Sequence, residues 1–202
     1  MPNKDFISKF IKLGIKTWLK VICDAITINN FKIILNNKLF GKIDELFLEA
    51  TNLIYKDLYI NKVIIKSHNF NLKFNYQNHL IYSNDIVINC MLIIDSKNLE
   101  NIFFKREWDS IRTKVQEEFL DGNNVSGLSI NNDLINLIYQ EKNFNIKSNI
   151  ALSSNEDFLF LEDIKKKKKM LLPLDKNIKI NNCQIKNDLL NIDLFSKVIF
   201  GN

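Results

Sequence analysis

Glycine and proline are scarce: the 202 residues include five glycines and two prolines. So little of either leaves no material for a flexible linker or for a glycine-rich loop that cradles a nucleotide, and one domain over residues 1–202 is expected. Cysteine is equally sparse. Cys23, Cys90 and Cys183 are odd in number, far apart and set in apolar stretches, which argues against a disulfide framework or a metal cluster and for buried thiols in a reducing compartment. The two histidines, His68 and His79, lie near no serine or cysteine motif of nucleophilic type and in no metal-ligand spacing. Asp44, Glu45 and Glu49 sit on a hairpin strand, where exposed carboxylates are ordinary. No catalytic residue, cofactor or metal is therefore assigned, and the chain is not expected to be an enzyme.

Long uninterrupted apolar runs are missing too. Lys9, Lys12, Lys16 and Lys20 break up the N-terminal apolar residues before a secretory core can form, and no later segment is long and uncharged enough to span a bilayer. A cytoplasmic location, free or peripheral to a membrane, is the expectation.

What the chain has is apolar residues, 46% of the total, and a net charge of +5. The first indicates a full globular core; the second favours anionic partners such as phospholipid headgroups or nucleic acid. Asn3 to about Ile26 reads as a basic amphipathic helix. Phe6, Ile7, Phe10, Ile11, Leu13, Trp18 and Ile22 form its apolar arc, and the four lysines follow at steps of three or four on the other face.

From Phe31 to about Phe74 the period drops to two, as in Phe31/Ile33/Leu35, Leu46/Leu48/Ala50 and Phe70/Leu72/Phe74, with Asn37 and Gly41 as candidate reversals. Gln77 to Asn84 reads as a loop. In Ile86 to Ile94 both alternations are apolar: Ile86, Ile88, Cys90, Leu92 and Ile94 on one face, Val87, Asn89, Met91 and Ile93 on the other. Neither face suits water, so the sheet is either sandwiched by the protein's own helices or holds an apolar ligand. A helix capped by Asp95 or Ser96 then carries Leu99, Phe104, Trp108, Ile111, Val115 and Phe119 as a stripe to about Gly122. After Gly127 alternation returns in Leu134 to Tyr139, Phe144 to Leu152, Phe158 to Leu161, Ile178 to Ile185 and Leu189 to Ile199.

The stretch GKIDELFLEATNLIYKDLYI, Gly41 to Ile60, and the stretch IIDSKNLENI, Ile93 to Ile102, resemble the LmeA-like phospholipid-binding family, a former domain of unknown function of actinobacteria and cyanobacteria. The matching positions are Gly41, Leu46, Leu48, Ala50 and Tyr55, then Asp95, Ser96, Asn98 and Leu99. The resemblance implies a curved sheet around a helix, similar to tubular lipid-binding domains, and non-catalytic binding of phospholipid, anionic ones favoured.

The expected fold class is accordingly α+β, a long, curved, mostly antiparallel sheet wrapping the Leu99 helix. Ile88, Cys90, Leu92, Ile94, Phe104 and Trp108 are the candidate walls of an acyl-chain groove, each weighed against plain core packing. Lys9, Lys12, Lys16, Trp18 and Lys20, with the run Lys165, Lys166, Lys167, Lys168 and Lys169, are the candidate contacts to an anionic membrane surface. For the run, a solvated turn is the competing reading. No aromatic lies within it, so nucleic acid is not an expected partner. A scaffold domain with a sealed core and a basic nucleic-acid-associated protein are the alternatives.

Overall fold

The computed structural model describes residues 4–36, 42–75, 80–83, 86–155, 158–172, 174 and 177–198. In chain order its elements are α1 (Lys4–Ile22), β1 (Ala25–Leu35), β2 (Lys42–Tyr55), β3 (Leu58–Asn75), β4 (Leu80–Ser83), β5 (Ile86–Asp95), α2 (Ser96–Phe103), a 3₁₀ turn (Arg106–Trp108), α3 (Asp109–Phe119), β6 (Val125–Asn131), β7 (Leu134–Glu141), β8 (Phe144–Asn155), β9 (Phe158–Asp163), β10 (Lys168–Leu172), β11 (Ile178–Lys186) and β12 (Leu189–Val198).

These form two antiparallel sheets. Sheet 1 runs β1-β2-β3-β5-β12-β11, with β4 paired to the end of β3, and sheet 2 is the meander β10-β9-β8-β7-β6. The expected α+β class, a sheet wrapping one long helix, is therefore corrected to a mostly antiparallel β-fold of two sheets with three helices. The reason lies in the angular positions of the stripe. At about 100° per residue, Leu99, Ile102 and Phe103 centre on one side of a helix and Trp108, Ile111, Val115 and Phe119 centre roughly 170° away. A straight helix could not bury both sets. The chain breaks instead, with Lys105 extended at φ −72°, ψ 151°, and both short helices turn their apolar sides inward. Gln77 to Asn84, read as a loop, contains the described strand β4, while His79, Asn37 and Gly41 lie outside the described residues.

Sheet 1 owes its core face to register. Ile28, Ala50, Val63, Leu92, Ile192 and Cys183 are successive cross-strand partners over six strands, and so are Phe31, Leu48, Ile65, Cys90, Leu194 and Ile180. Residues opposite one another point to the same side, so these rows make one continuous apolar face. α1 covers one end of it, Ile11 and Ile15 packing near Ile33, Ile43 and Phe70. Sheet 2, α2 and Trp108 of the 3₁₀ turn cover the other. The opposite face carries ion pairs such as Lys62–Glu49 at 2.5 Å and Lys32–Glu45 at 3.3 Å. On that face Lys62 is the cross-strand neighbour of half-buried Ile93, and Ile64 that of half-buried Met91.

Strict alternation would not keep β3 inward along its 18 residues. Its buried positions are Ile60, then Val63 and Ser67, then Phe70, so two steps are of three residues and change the parity. Asn69 lies within one of them at φ 53°. The other lies beside Asn52 of β2, at φ 51°, between the pairs Thr51–Lys62 and Leu53–Ile60. Asparagine tolerates this left-handed backbone better than most residues, and each irregularity exchanges the faces of the strand. The hairpins use the same chemistry. Lys56–Asp57, Asn132–Asp133, Lys142–Asn143 and Asn187–Asp188 all have positive φ at both positions, the twist-matched two-residue turn usually built with glycine. Replacing Asn52 or Asn69 by valine should lower stability by about 1–3 kcal/mol, whereas glycine at either place should be tolerated; thermal unfolding of the four variants measures it.

Candidate functional site

The site begins where β5 turns into α2. Asp95 caps the helix, one carboxylate oxygen accepting the Asn98 backbone N–H at 2.7 Å and the other the Asn61 side-chain amide at 2.5 Å. The Asn61 amide oxygen in turn accepts the Asp95 N–H at 2.7 Å and the Asn98 side chain at 3.0 Å. These four hydrogen bonds fix the direction in which α2 leaves sheet 1. From its first residue α2 grips sheet 2. The hydroxyl of Ser96 accepts the Ile130 N–H at 2.8 Å and the Glu100 carboxylate accepts the Leu128 N–H at 3.1 Å. Four residues of helix rise about 6.0 Å and two residues of strand about 6.6 Å, so side chains at positions i and i+4 meet alternate donors of the β6 edge. A helix thus stands in for the missing neighbouring strand.

Fastened this way, the two sheets do not meet completely. Between them lies a cavity of about 250 Å³. Its walls are Leu58 and Ile60 of β3, Leu92 and Ile94 of β5, Leu190 and Ile192 of β12, then Leu99, Ile102, Phe103, Trp108, Ile111 and Val115 from the helical segment. Sheet 2 completes it with Leu128, Ile135, Leu137, Ile150, Leu152, Leu159, Leu161 and Leu172. Every lining residue is aliphatic or aromatic. A dry apolar hollow of about 150 Å³ already admits a benzene-sized guest, and typical small-molecule pockets begin near 300 Å³. This one suits a stretch of hydrocarbon, with no group inside to hold or cleave anything polar.

Three of the six expected wall residues, Leu92, Ile94 and Trp108, line the cavity. Cys90 lies one step along the same face, packed in the adjoining core, and Ile88 one step beyond that, half-buried. Phe104 points outward, 39% exposed, with the Arg112 guanidinium 5.7 Å from its ring centre. The sheet 2 wall was not foreseen as wall: its alternation was visible, but not which strands would face β5. At the rim, Lys105 pairs with Asp57 at 2.9 Å and lies 5.6 Å from the centre of the Tyr59 ring, joining the break between α2 and the 3₁₀ turn to the β2–β3 hairpin. The hydrogen bond to Asp57 raises the pKa of Lys105 above its ordinary value.

Of the expected membrane contacts, Lys9, Lys16 and Lys20 are exposed and Lys12 is half-buried, while the side chain of Trp18 lies outside the described residues. Lys165, Lys166 and Lys167 occupy the turn Ile164–Lys167, and Lys168 and Lys169 open β10; all five are exposed. This turn is built rather than loose. Asp163, only 1% exposed, accepts the Lys166 N–H at 2.7 Å and the Ser148 hydroxyl at 2.6 Å. The Lys166 ammonium reaches Asp121 at 2.7 Å. That hydrogen bond raises the pKa of Lys166 and lowers that of Asp121.

Among the described residues no helix is long and apolar enough to cross a membrane, and no cluster of three His, Cys, Asp or Glu residues could hold a metal ion. Burial, aided by Asp193, pushes the Cys183 thiol up to about 12 and the Cys90 thiol up to about 11. Such thiols are poor nucleophiles at neutral pH. Comparison with protein-family models, with curated proteins and with solved structures finds no match for this chain.

Two outcomes follow from this geometry. An acid whose folded pKa is raised contributes its full stability below the unfolded value near 9 and loses it as pH rises from there. Stability should therefore fall above pH 9 by up to about 1.4 kcal/mol per pH unit per thiol, and less steeply in Cys183→Ala, as read by chemical denaturation at several pH values. Glu100→Ala, by stranding the Leu128 N–H, should cost about 1–3 kcal/mol in the same assay.

Proposed function

We propose that this protein binds phospholipid without chemical transformation, accepting a hydrocarbon chain into the cavity between its sheets while associating peripherally with an anionic membrane. The observation that carries the reading is the unfilled, wholly apolar interior: close packing is the rule for protein cores, and leaving about 250 Å³ empty forfeits dispersion contacts from twenty side chains unless a guest restores them. Each CH₂ buried there contributes about 0.8 kcal/mol, so several carbons of one chain suffice for binding. Two full chains exceed the volume, which leaves the second chain and the headgroup outside. The Gly41–Ile60 and Ile93–Ile102 stretches, with their likeness to LmeA-like lipid binders, support the same reading: residues from both line the cavity, Leu58 and Ile60 from the first, Ile94, Leu99 and Ile102 from the second.

Organic extraction of the purified protein should release phospholipid or fatty acid near one molecule per chain. Trp108 supplies a direct probe. In Trp18→Phe, where Trp108 is the sole tryptophan, emission should be quenched by a fatty acid brominated near its methyl end. Filling the hollow with Leu137→Phe should abolish that quenching while raising the stability of the lipid-free protein by about 0.5–2 kcal/mol. A chain that carries no lipid and shows unquenched Trp108 emission would mean a sealed interaction domain instead.

A further inference from the structure

The N-terminal helix, expected from its lysines to lie on the membrane, has Ile11 and Ile15 packed near Ile33, Ile43 and Phe70 of sheet 1, and Leu19 is buried. Those side chains are not free to enter lipid, although Leu13 and Val21 of the same helix are 64% and 77% exposed. A second part of the molecule also presents apolar groups beside lysines. Sheet 2 pairs Ile150 with Asp163, so β8 runs six residues past the end of β9 to the turn that joins it to β7. The β7–β8 and β9–β10 turns therefore lie on the same side of sheet 2, the first about 20 Å beyond the second along the strands.

On that side Phe144 is 73% exposed and Ile164 47% exposed, each directly beside a turn that holds a lysine. Exposed lysines there are Lys142, Lys147, Lys165, Lys166, Lys167 and Lys168; the carboxylates are Glu141, Asp121, which Lys166 engages, and Glu117 and Glu118 at the end of α3. Lysine on a short edge strand is a familiar guard against unwanted strand pairing. Such a guard gives no reason to expose a phenylalanine and an isoleucine beside it. Apolar side chains at turn tips, surrounded by ammonium groups, match the boundary between lipid headgroups and acyl chains.

We propose that this side of sheet 2 is the membrane-docking surface, with Phe144 and Ile164 entering the interface of an anionic bilayer and the neighbouring lysines contacting its phosphates. The inference takes the lipid surface from the function proposed above, but it uses no part of the cavity. The buried Asp163 holds the β9–β10 turn in shape, so the lysines are displayed on a formed scaffold and docking needs no folding step.

The test is flotation with vesicles of phosphatidylcholine containing about 30% phosphatidylserine. The triple variant Lys165→Glu, Lys167→Glu, Lys168→Glu should lose at least tenfold in vesicle affinity, since each near-surface lysine contributes roughly fivefold. Phe144→Ser with Ile164→Ser should weaken binding at high salt more than at low salt. The matching triple reversal on α1, Lys9→Glu, Lys16→Glu, Lys20→Glu, should bind as the parent does. All these positions are exposed, and unchanged circular dichroism melts confirm that each variant is folded. The cavity-filled Leu137→Phe should still float; its loss of ligand with retained flotation separates failure of the cavity reading from failure of this one. Binding that follows the α1 lysines, that survives the turn substitutions, or that is absent in the parent protein overturns the proposal.

Discussion

Everything in this architecture depends on the junction at Asp95, where one carboxylate ends a strand, begins a helix and binds Asn61 of the neighbouring strand. From that fixed point α2 leaves sheet 1 at a set angle, and Ser96 and Glu100 accept the free N–H groups of β6. Sheet 2 is thereby held against sheet 1 by hydrogen bonds along one edge. Its distance from β5 is determined by the helical segment between them, and side chains alone do not fill the gap. The cavity is a consequence of that spacing.

The placement of charge follows a similar logic. On the outer face of sheet 1 lysine and glutamate side chains pair across strands, Lys62 with Glu49 and Lys32 with Glu45. At the end of sheet 2 a buried Asp163 shapes a turn that displays Lys165, Lys166 and Lys167, of which Lys166 engages Asp121.

The positions of most strands, though not their arrangement in two sheets, can be read from alternation. β7, β8, β9, β11 and β12 follow the period of two, as do stretches of β1, β2 and β3, while β5 is apolar on both faces, and a cap at Asp95 or Ser96 follows from residue type and position. The helix after it is not one stripe: Leu99 and Trp108 are both apolar, but nine residues at about 100° each put them on opposite sides. β6 and β10 were missed for separate reasons. The first is interrupted by Gly127 and a register shift, and the second hides its two inward residues, Met170 and Leu172, behind a lysine run. The hairpin turns escaped notice because asparagine, aspartate and lysine occupy positions where glycine is the usual signal.

By itself the amino-acid order determined which residues avoid water, since side-chain hydrophobicity acts over a few neighbours. It also marked Leu92, Ile94 and Trp108 as wall material. Only the tertiary structure decided that two sheets form instead of one, that their inner faces stand apart, and that Leu128, Leu137 and Ile150 close the hollow from the far side. Pairing across the sheets joins residues far apart along the chain, and the gap between them is set by the geometry of a helix break and three hydrogen-bonded side chains. No periodicity encodes such a distance; it is fixed only when all the packed elements are in place.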